Sequence, residues 1–230
     1  MDTERLLDKV QNKLQDFSYA REDLLLDLND LLKYVSAIHP LPSLQDTSTV
    51  VAVAGDVSVA MPDNYHCNLY RVENTTTSRA CKIVFNFKVL AAMHDGLTVA
   101  GSVVDATIEN GFLYYRKTPA SDENLLLYYN KTPTTLTDES TSTPDCIPTH
   151  LHDLILVSYL LYDKFSEIEE DIDEAKNNTI FYWNRFLTGI QGLNAFYPNT
   201  SLQNTYQRFH NSNNIMANKS SEHTKLSAQE

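Results

Sequence analysis

Leu7, Val10, Leu14 and Phe17 recur three and four apart between charged residues, a spacing that predicts an amphipathic helix over residues 3–16. Ser18 stands where a second helix needs a cap. Leu24, Leu28, Leu31, Val35 and Ile38 then form a second stripe, ended by Pro40 and Pro42. The period changes near Asp46. Residues 50–60 and 67–72 are β-branched and apolar, parted by a Pro62-Asp63-Asn64 turn. Cys81, Ile83, Phe85, Phe87 and Val89 alternate with Lys82, Asn86 and Lys88, predicting a half-solvated strand over 81–89. Asp95-Gly96 reads as a turn and 97–108 as the next strand. Asn110-Gly111 has the residues a type I′ hairpin demands, because both of its central positions need positive φ. Residues 112–117 return, and 125–130 close the run.

Residues 132–148 read as a long loop, with Thr149 capping a helix that starts near His150. From Leu154 to Phe165 that helix is apolar nearly all round, so it needs cover on most sides. A small β-domain is too little to supply it, and neighbouring subunits are the expected source. Leu156, Tyr159, Leu160 and Tyr162 are the candidate interface residues. The acidic stretch 167–174 is expected to bend the helix and to set carboxylates at the start of the next one. There Ile172, Thr179, Trp183, Phe186, Ile190 and Leu193 form a stripe suited to antiparallel packing on the preceding helix. Gly189 and Gly192 are expected to weaken its end, and Pro198 to stop it. The fold class is therefore α+β. Residues 1–45 and a helical hairpin at 149–195 make one bundle, with an antiparallel β-domain at 46–131, the loop at 132–148 and an extended tail at 196–230. That tail is polar, with Leu202, Tyr206, Phe209, Ile215 and Met216 as scattered anchors that would order on a partner.

Charge narrows the function. A net charge of −12 with no basic stripe disfavours nucleic-acid binding. An acidic surface beside DNA is useful where DNA must pass without sticking. Cys67, Cys81 and Cys146 are widely spaced without a CxxC pair and read as reduced thiols. The first residues lack a signal-peptide pattern, and the apolar run 154–162 is well short of the roughly 20 residues that span a membrane. A soluble protein made in a reducing compartment is expected.

No cluster of reactive groups emerges. His150-Leu151-His152-Asp153, with Cys146 nearby, lacks a second ligand pair for a tetrahedral metal site. A solvated or interfacial histidine pair is the better reading. Glu167, Glu169 and Glu170 offer paired carboxylates for a peptidoglycan-cleaving site, but lie in a solvated acidic run. Gly189-Ile190-Gln191-Gly192 lacks the lysine and the strand of a phosphate loop. No catalysis, cofactor or metal is expected.

The order of parts resembles a known family. Asn29-Asp30-Leu31-Leu32, and Gly55 leading to Met61-Pro62-Asp63-Asn64-Tyr65, resemble the helix and "G…LPxDY" passage of tailed-bacteriophage head-to-tail adaptors. Leu127-Tyr128-Tyr129-Asn130-Lys131-Thr132-Pro133, Leu136-Thr137-Asp138, Ile147-Pro148 and His152-Asp153-Leu154 resemble their "YY…P..LTD…IP…HD" passage. Tyr182-Trp183-Asn184-Arg185-Phe186 resembles their closing helix. Met61 stands where leucine is usual, and the β-region and tail are longer. The resemblance implies a structural virion protein at the head–tail neck, synthesised in the host cytoplasm, with neither membrane contact nor enzyme activity. It implies a homo-oligomeric ring of about twelve copies below the portal, joined to tail or nozzle proteins, with DNA crossing its lumen unbound. The tail anchors Tyr206, Phe209, Ile215 and Met216 would then meet the portal. A glycan- or peptide-binding β-module on helical supports, using the loops at Asp95-Gly96 and Asn110-Gly111, is the alternative.

Overall fold

The computed structural model describes residues 1–15, 19–39, 41–93, 97–137, 142–169 and 177–197. Helix α1 (Thr3–Leu14) opens on Asp2, whose side chain accepts from the Arg5 amide, and closes on Gln15 in the left-handed region. It buries Leu6, Leu7, Val10 and Leu14. Helix α2 (Arg21–Ile38) buries Leu24, Leu28, Leu31, Leu32 and Val35, following the expected stripe. No side chain caps its start, and the cap expected at Ser18 lies outside the described residues.

A 3₁₀ turn at Pro42–Leu44 leads into the sheet: β1 (Gln45–Ala52), β2 (Ser58–Ala60), β3 (Tyr65–Asn74), β4 (Arg79–Ile83), β5 (Asp105–Glu109), β6 (Phe112–Arg116) and β7 (Glu123–Lys131). The strand order is β1-β7-β3-β4-β5-β6-β2. Every pairing is antiparallel except β4 with β5. The wholly antiparallel arrangement is thus corrected at one junction, where a short helix reverses the chain. Asn110 and Gly111 turn the β5–β6 hairpin with φ of 50° and 80°, as that turn requires. The expected strand over 50–60 is instead two, broken at Gly55 (φ 86°), with Ala54 donating its amide to Asp122.

The expected strand over 81–89 is also corrected. β4 stops at Ile83, Phe85 is fully exposed, and Val84 is buried. Asn86 then accepts from the Val89 amide and caps α3 (Phe87–Ala91), which buries Leu90. A local side-chain bond has offered this backbone an alternative to the ladder. Of the expected strand over 97–108, only the end forms a strand, β5, while Ala100 makes an isolated parallel bridge to Thr118. The Asp95-Gly96 turn lies outside the described residues.

The chain re-enters the helical part through a 3₁₀ turn (Thr149–Leu151) and a π-helical turn (Asp153–Val157), then α4 (Ser158–Ile168) and α5 (Asn177–Phe196). Thr149 is not the cap; Pro148 precedes the turn, and no side chain caps it. Ile155, Leu156, Val157, Leu160 and Leu161 are all at most 1% exposed. Their cover is intramolecular, from α1, α2 and α5. The expectation that neighbouring subunits must shelter this segment is therefore corrected: four helices of one chain are enough.

Gly189 and Gly192 are packing residues, and the expected weakening of the helix end is corrected, since α5 continues to Phe196. A Cβ on Gly189 would stand 2.7 Å from Ile155 Cγ1 and 2.9 Å from the Leu154 carbonyl carbon. Only glycine lets α5 come this close. A second apolar core fills the sheet, around Val72, Leu113, Tyr115, Leu125, Leu127 and Tyr129.

Candidate functional site

The residues that carried the family resemblance pair with one another. Asn29 Nδ2 donates to the Leu136 carbonyl (3.2 Å), and the Leu136 amide donates to Asn29 Oδ1 (2.8 Å). Tyr129 Oη donates to Asn64 Oδ1 at 2.5 Å, and the Tyr129 and Tyr65 rings lie 5.6 Å apart. The Thr132 amide donates to the Asn64 carbonyl. His152 Nε2 bonds the Ile147 carbonyl at 2.9 Å, and Asp153 pairs with Lys9. These motifs are joints. They clamp the loop after β7 onto α2 and the turn before β3 onto β7.

The candidate chemical groups are dispersed by the fold. His152 is buried, not solvated, and burial lowers its pKa against the opposing hydrogen bond to Ile147. His150 is exposed beside the Phe196 ring. Burial pushes the Cys146 thiol up to about 11. Among the described residues no three His, Cys, Asp or Glu side chains converge on a possible cation. Glu169 caps α5: its carboxylate accepts from the Asn178 and Thr179 amides and from both their side chains. Burial opposes its charge, but those bonds prevail and hold the pKa below the usual glutamate value. Glu167 serves Lys164 instead, and Glu170 lies outside the described residues.

Of the candidate interface residues, Leu156 and Leu160 are fully buried within the chain. Neither reaches the surface. Tyr159 and Tyr162 are half-buried and belong to an aromatic array. Ring centroids lie 5.2 Å apart for Tyr159–Phe186, 4.8 Å for Tyr162–Trp183 and 5.4 Å for Trp183–Phe186. On the outer side of the array, Trp183 and Leu187 are each 38% exposed, and Ile180 is 58% exposed. Tyr34 and Ile38 of α2, also exposed, extend it: Tyr34 lies close enough to perturb Tyr159, and at His39, just past Ile38, Asn194 of α5 opposes the lowering of the pKa by burial. The result is an apolar face across α2, α4 and α5, of the kind that marks protein docking. The 3–4 spacing of Ile180, Trp183 and Leu187 carried this signal in the sequence.

An unbalanced charge cluster borders that face. Lys164 Nζ lies 2.9 Å from Asp27, 3.0 Å from Asp163 and 3.1 Å from Glu167, so one cation meets three carboxylates. Burial opposes the lysine's charge, yet the carboxylates hold its pKa well above the ordinary lysine value. Burial raises the Tyr159 pKa, and the charge of Asp163 adds to the effect. The tail anchors Tyr206, Phe209, Ile215 and Met216 lie outside the described residues.

Fold and surface thus define a mixed α+β protein whose motif residues hold the framework together, and whose described surface carries an apolar face bordered by charged clusters. The family model for the SU10 adaptor protein matches residues 1–212, and the chain belongs to that family. Membership agrees with the resemblance drawn from the motifs, to a phage structural adaptor. A comparison with curated proteins found no match. No helix among the described residues is long and apolar enough to cross a membrane.

Proposed function

We propose that this chain is a structural head-to-tail adaptor without catalytic activity. Copies of it form a ring below the portal that joins the head to tail or nozzle proteins and lets DNA through the lumen. Residues 1–45 and 149–195 form the helical wall between copies, the β-domain at 46–131 projects toward tail components, and the tail at 196–230 docks on the portal. The observation that carries this reading is the apolar face formed by Tyr34, Ile38, Ile180, Trp183 and Leu187 in a family of adaptors. Contact between copies through Tyr159 and Tyr162 runs along this face, while Leu156 and Leu160 support it from within. The net charge of −12 suits a lumen through which DNA slides.

Removal of residues 198–230 tests the portal assignment and spares Tyr197, which packs on the helical core. The truncated chain should keep its fold by circular dichroism and fail to bind portal-bearing heads. Undiminished binding would refute the tail's role. Electron microscopy of particles carrying the chain tests the ring itself.

A further inference from the structure

A second charge cluster lies on the other flank of α5. Lys9 pairs with Asp153, whose backbone carbonyl accepts from Ser158 Oγ (2.9 Å), and Arg185 Nε donates to that hydroxyl (3.4 Å). Lys13 sits 5.8 Å above the Tyr182 ring, and the Arg185 guanidinium 5.7 Å from the Phe181 ring, itself exposed. Of these three cations, Lys9 pairs with the Asp153 carboxylate and Lys13 feels its charge, while Arg185 reaches the Ser158 hydroxyl. The crowding is felt: burial lowers the Lys13 pKa, and the charges of Arg185 and Lys9 lower it further against the pull of Asp153. Lys9 and Lys13 are also four apart on one helix, a spacing at which like charges repel.

This cluster carries two positive charges in excess. The Lys164 cluster beside the aromatic face, with Asp27, Asp163 and Glu167, carries two negative charges in excess. Trp183 and Arg185 are two residues apart on α5 and so point about 200° from each other. The surfaces therefore occupy opposite flanks of the helical part. Each also presents exposed rings, Phe181 on one and Trp183 and Tyr34 on the other. Matching charges on opposite sides of one molecule satisfy each other only between copies, and they do so head to tail. That is the heterologous contact from which rings are built.

We propose that the Lys9–Lys13–Arg185 flank of one copy docks on the Asp27–Asp163–Glu167 flank and aromatic face of the next. This rests on the ring reading and names its contact. The occupant of the aromatic face is a second copy of this chain. The charge pairs set orientation and register, and the rings supply the buried area. Duplex DNA is a poor occupant of the basic flank, since three cations make no extended stripe and the whole chain repels a polyanion.

The test mixes equal amounts of unlabelled and ¹⁵N-labelled full-length chain, assembled on portal-bearing heads that lack it. A carbodiimide then joins lysine amines directly to nearby carboxylates. Mixed-isotope cross-links from Lys9 or Lys13 to Asp27, Asp163 or Glu167 are the expected product. Mixed-isotope links confined to other residues would overturn this contact and leave the ring standing. No mixed-isotope product on loaded heads would sink the ring reading itself. In a second arm, Lys13→Glu and Glu167→Lys, both at exposed positions, should each lower mixed-isotope cross-linking at the remaining lysine–carboxylate pairs by about tenfold, with the double exchange restoring most of it. Equal loss in the single and double variants, with each still folded by circular dichroism, would also overturn the proposal.

Discussion

Asn29, on α2, and Leu136, in the loop after β7, exchange two hydrogen bonds across 107 residues of chain, both buried. The amide side chain meets the Leu136 N–H and C=O together, and so does the work of a short piece of ladder where no strand exists. Leu136 can then bury its own side chain in the helical core. Replacing Asn29 with alanine should leave both backbone groups buried without partners. The expected loss is about 2–4 kcal/mol, read as a lower urea midpoint with an unchanged slope.

The approach of Gly189 to Ile155 and Leu154 yields a pair of contrasting variants. Alanine in a helix is favoured over glycine by about 1 kcal/mol. At Gly189 the added methyl would meet Leu154 backbone at 2.9 Å, which has no easy way to yield, so Gly189→Ala should be destabilising by about 1–3 kcal/mol net. At Gly192 it would meet only the terminal Cδ2 methyl of the Leu151 side chain, at 3.1 Å, and no backbone. Gly192→Ala should therefore be neutral or stabilising in the same thermal unfolding experiment.

Much of this architecture was legible because pattern and packing agree. The stripes of α1 and α2 are read directly, since helical period and burial coincide there. Asn110-Gly111 encodes its turn in backbone geometry alone. Residues 81–89 misled because alternation and helical capping compete over the same short stretch: Asn86 captures the Val89 amide, and Val84 and Leu90 are buried where the alternation put Phe85 and Val89. The apolar helix misled for another reason. Composition shows that Leu156 and Leu160 need shelter but not whose atoms give it, and the glycine that brings α5 within reach lies 33 residues beyond Leu156. The adaptor motifs were legible as a pattern, while their role as joints was not, because Asn29 and Leu136 meet only in three dimensions.

Glu169 should make stability depend on pH. Its folded pKa is depressed, so its contribution is fully present above the unfolded glutamate value of about 4.3 and fades as pH falls through the folded value. Above that window, Glu169→Gln should cost about 1 kcal/mol, as for loss of a helix cap. At lower pH the wild type should converge on the variant. Urea midpoints of both across pH 3–7 measure the difference, and a constant gap would show that the carboxylate's charge is immaterial to the cap.

Trp183 is the chain's sole tryptophan, and it stands at the edge of the aromatic face, 38% exposed and 4.8 Å from the Tyr162 ring. Its emission therefore reports on one surface without interference from a second indole. If a neighbouring copy covers that surface, the indole exchanges water for apolar contact. The emission should move to shorter wavelength, and iodide should quench it less. Dispersed chain and chain assembled on portal-bearing heads provide the comparison, with Trp183→Phe as the blank against which the heads' own fluorescence is subtracted. The phenyl ring keeps the array's apolar character, so the blank should still assemble. The two outcomes separate cleanly. Protection on assembly places the α5 face inside a contact, whereas unchanged wavelength and quenching would leave it facing solvent and move the wall between copies elsewhere.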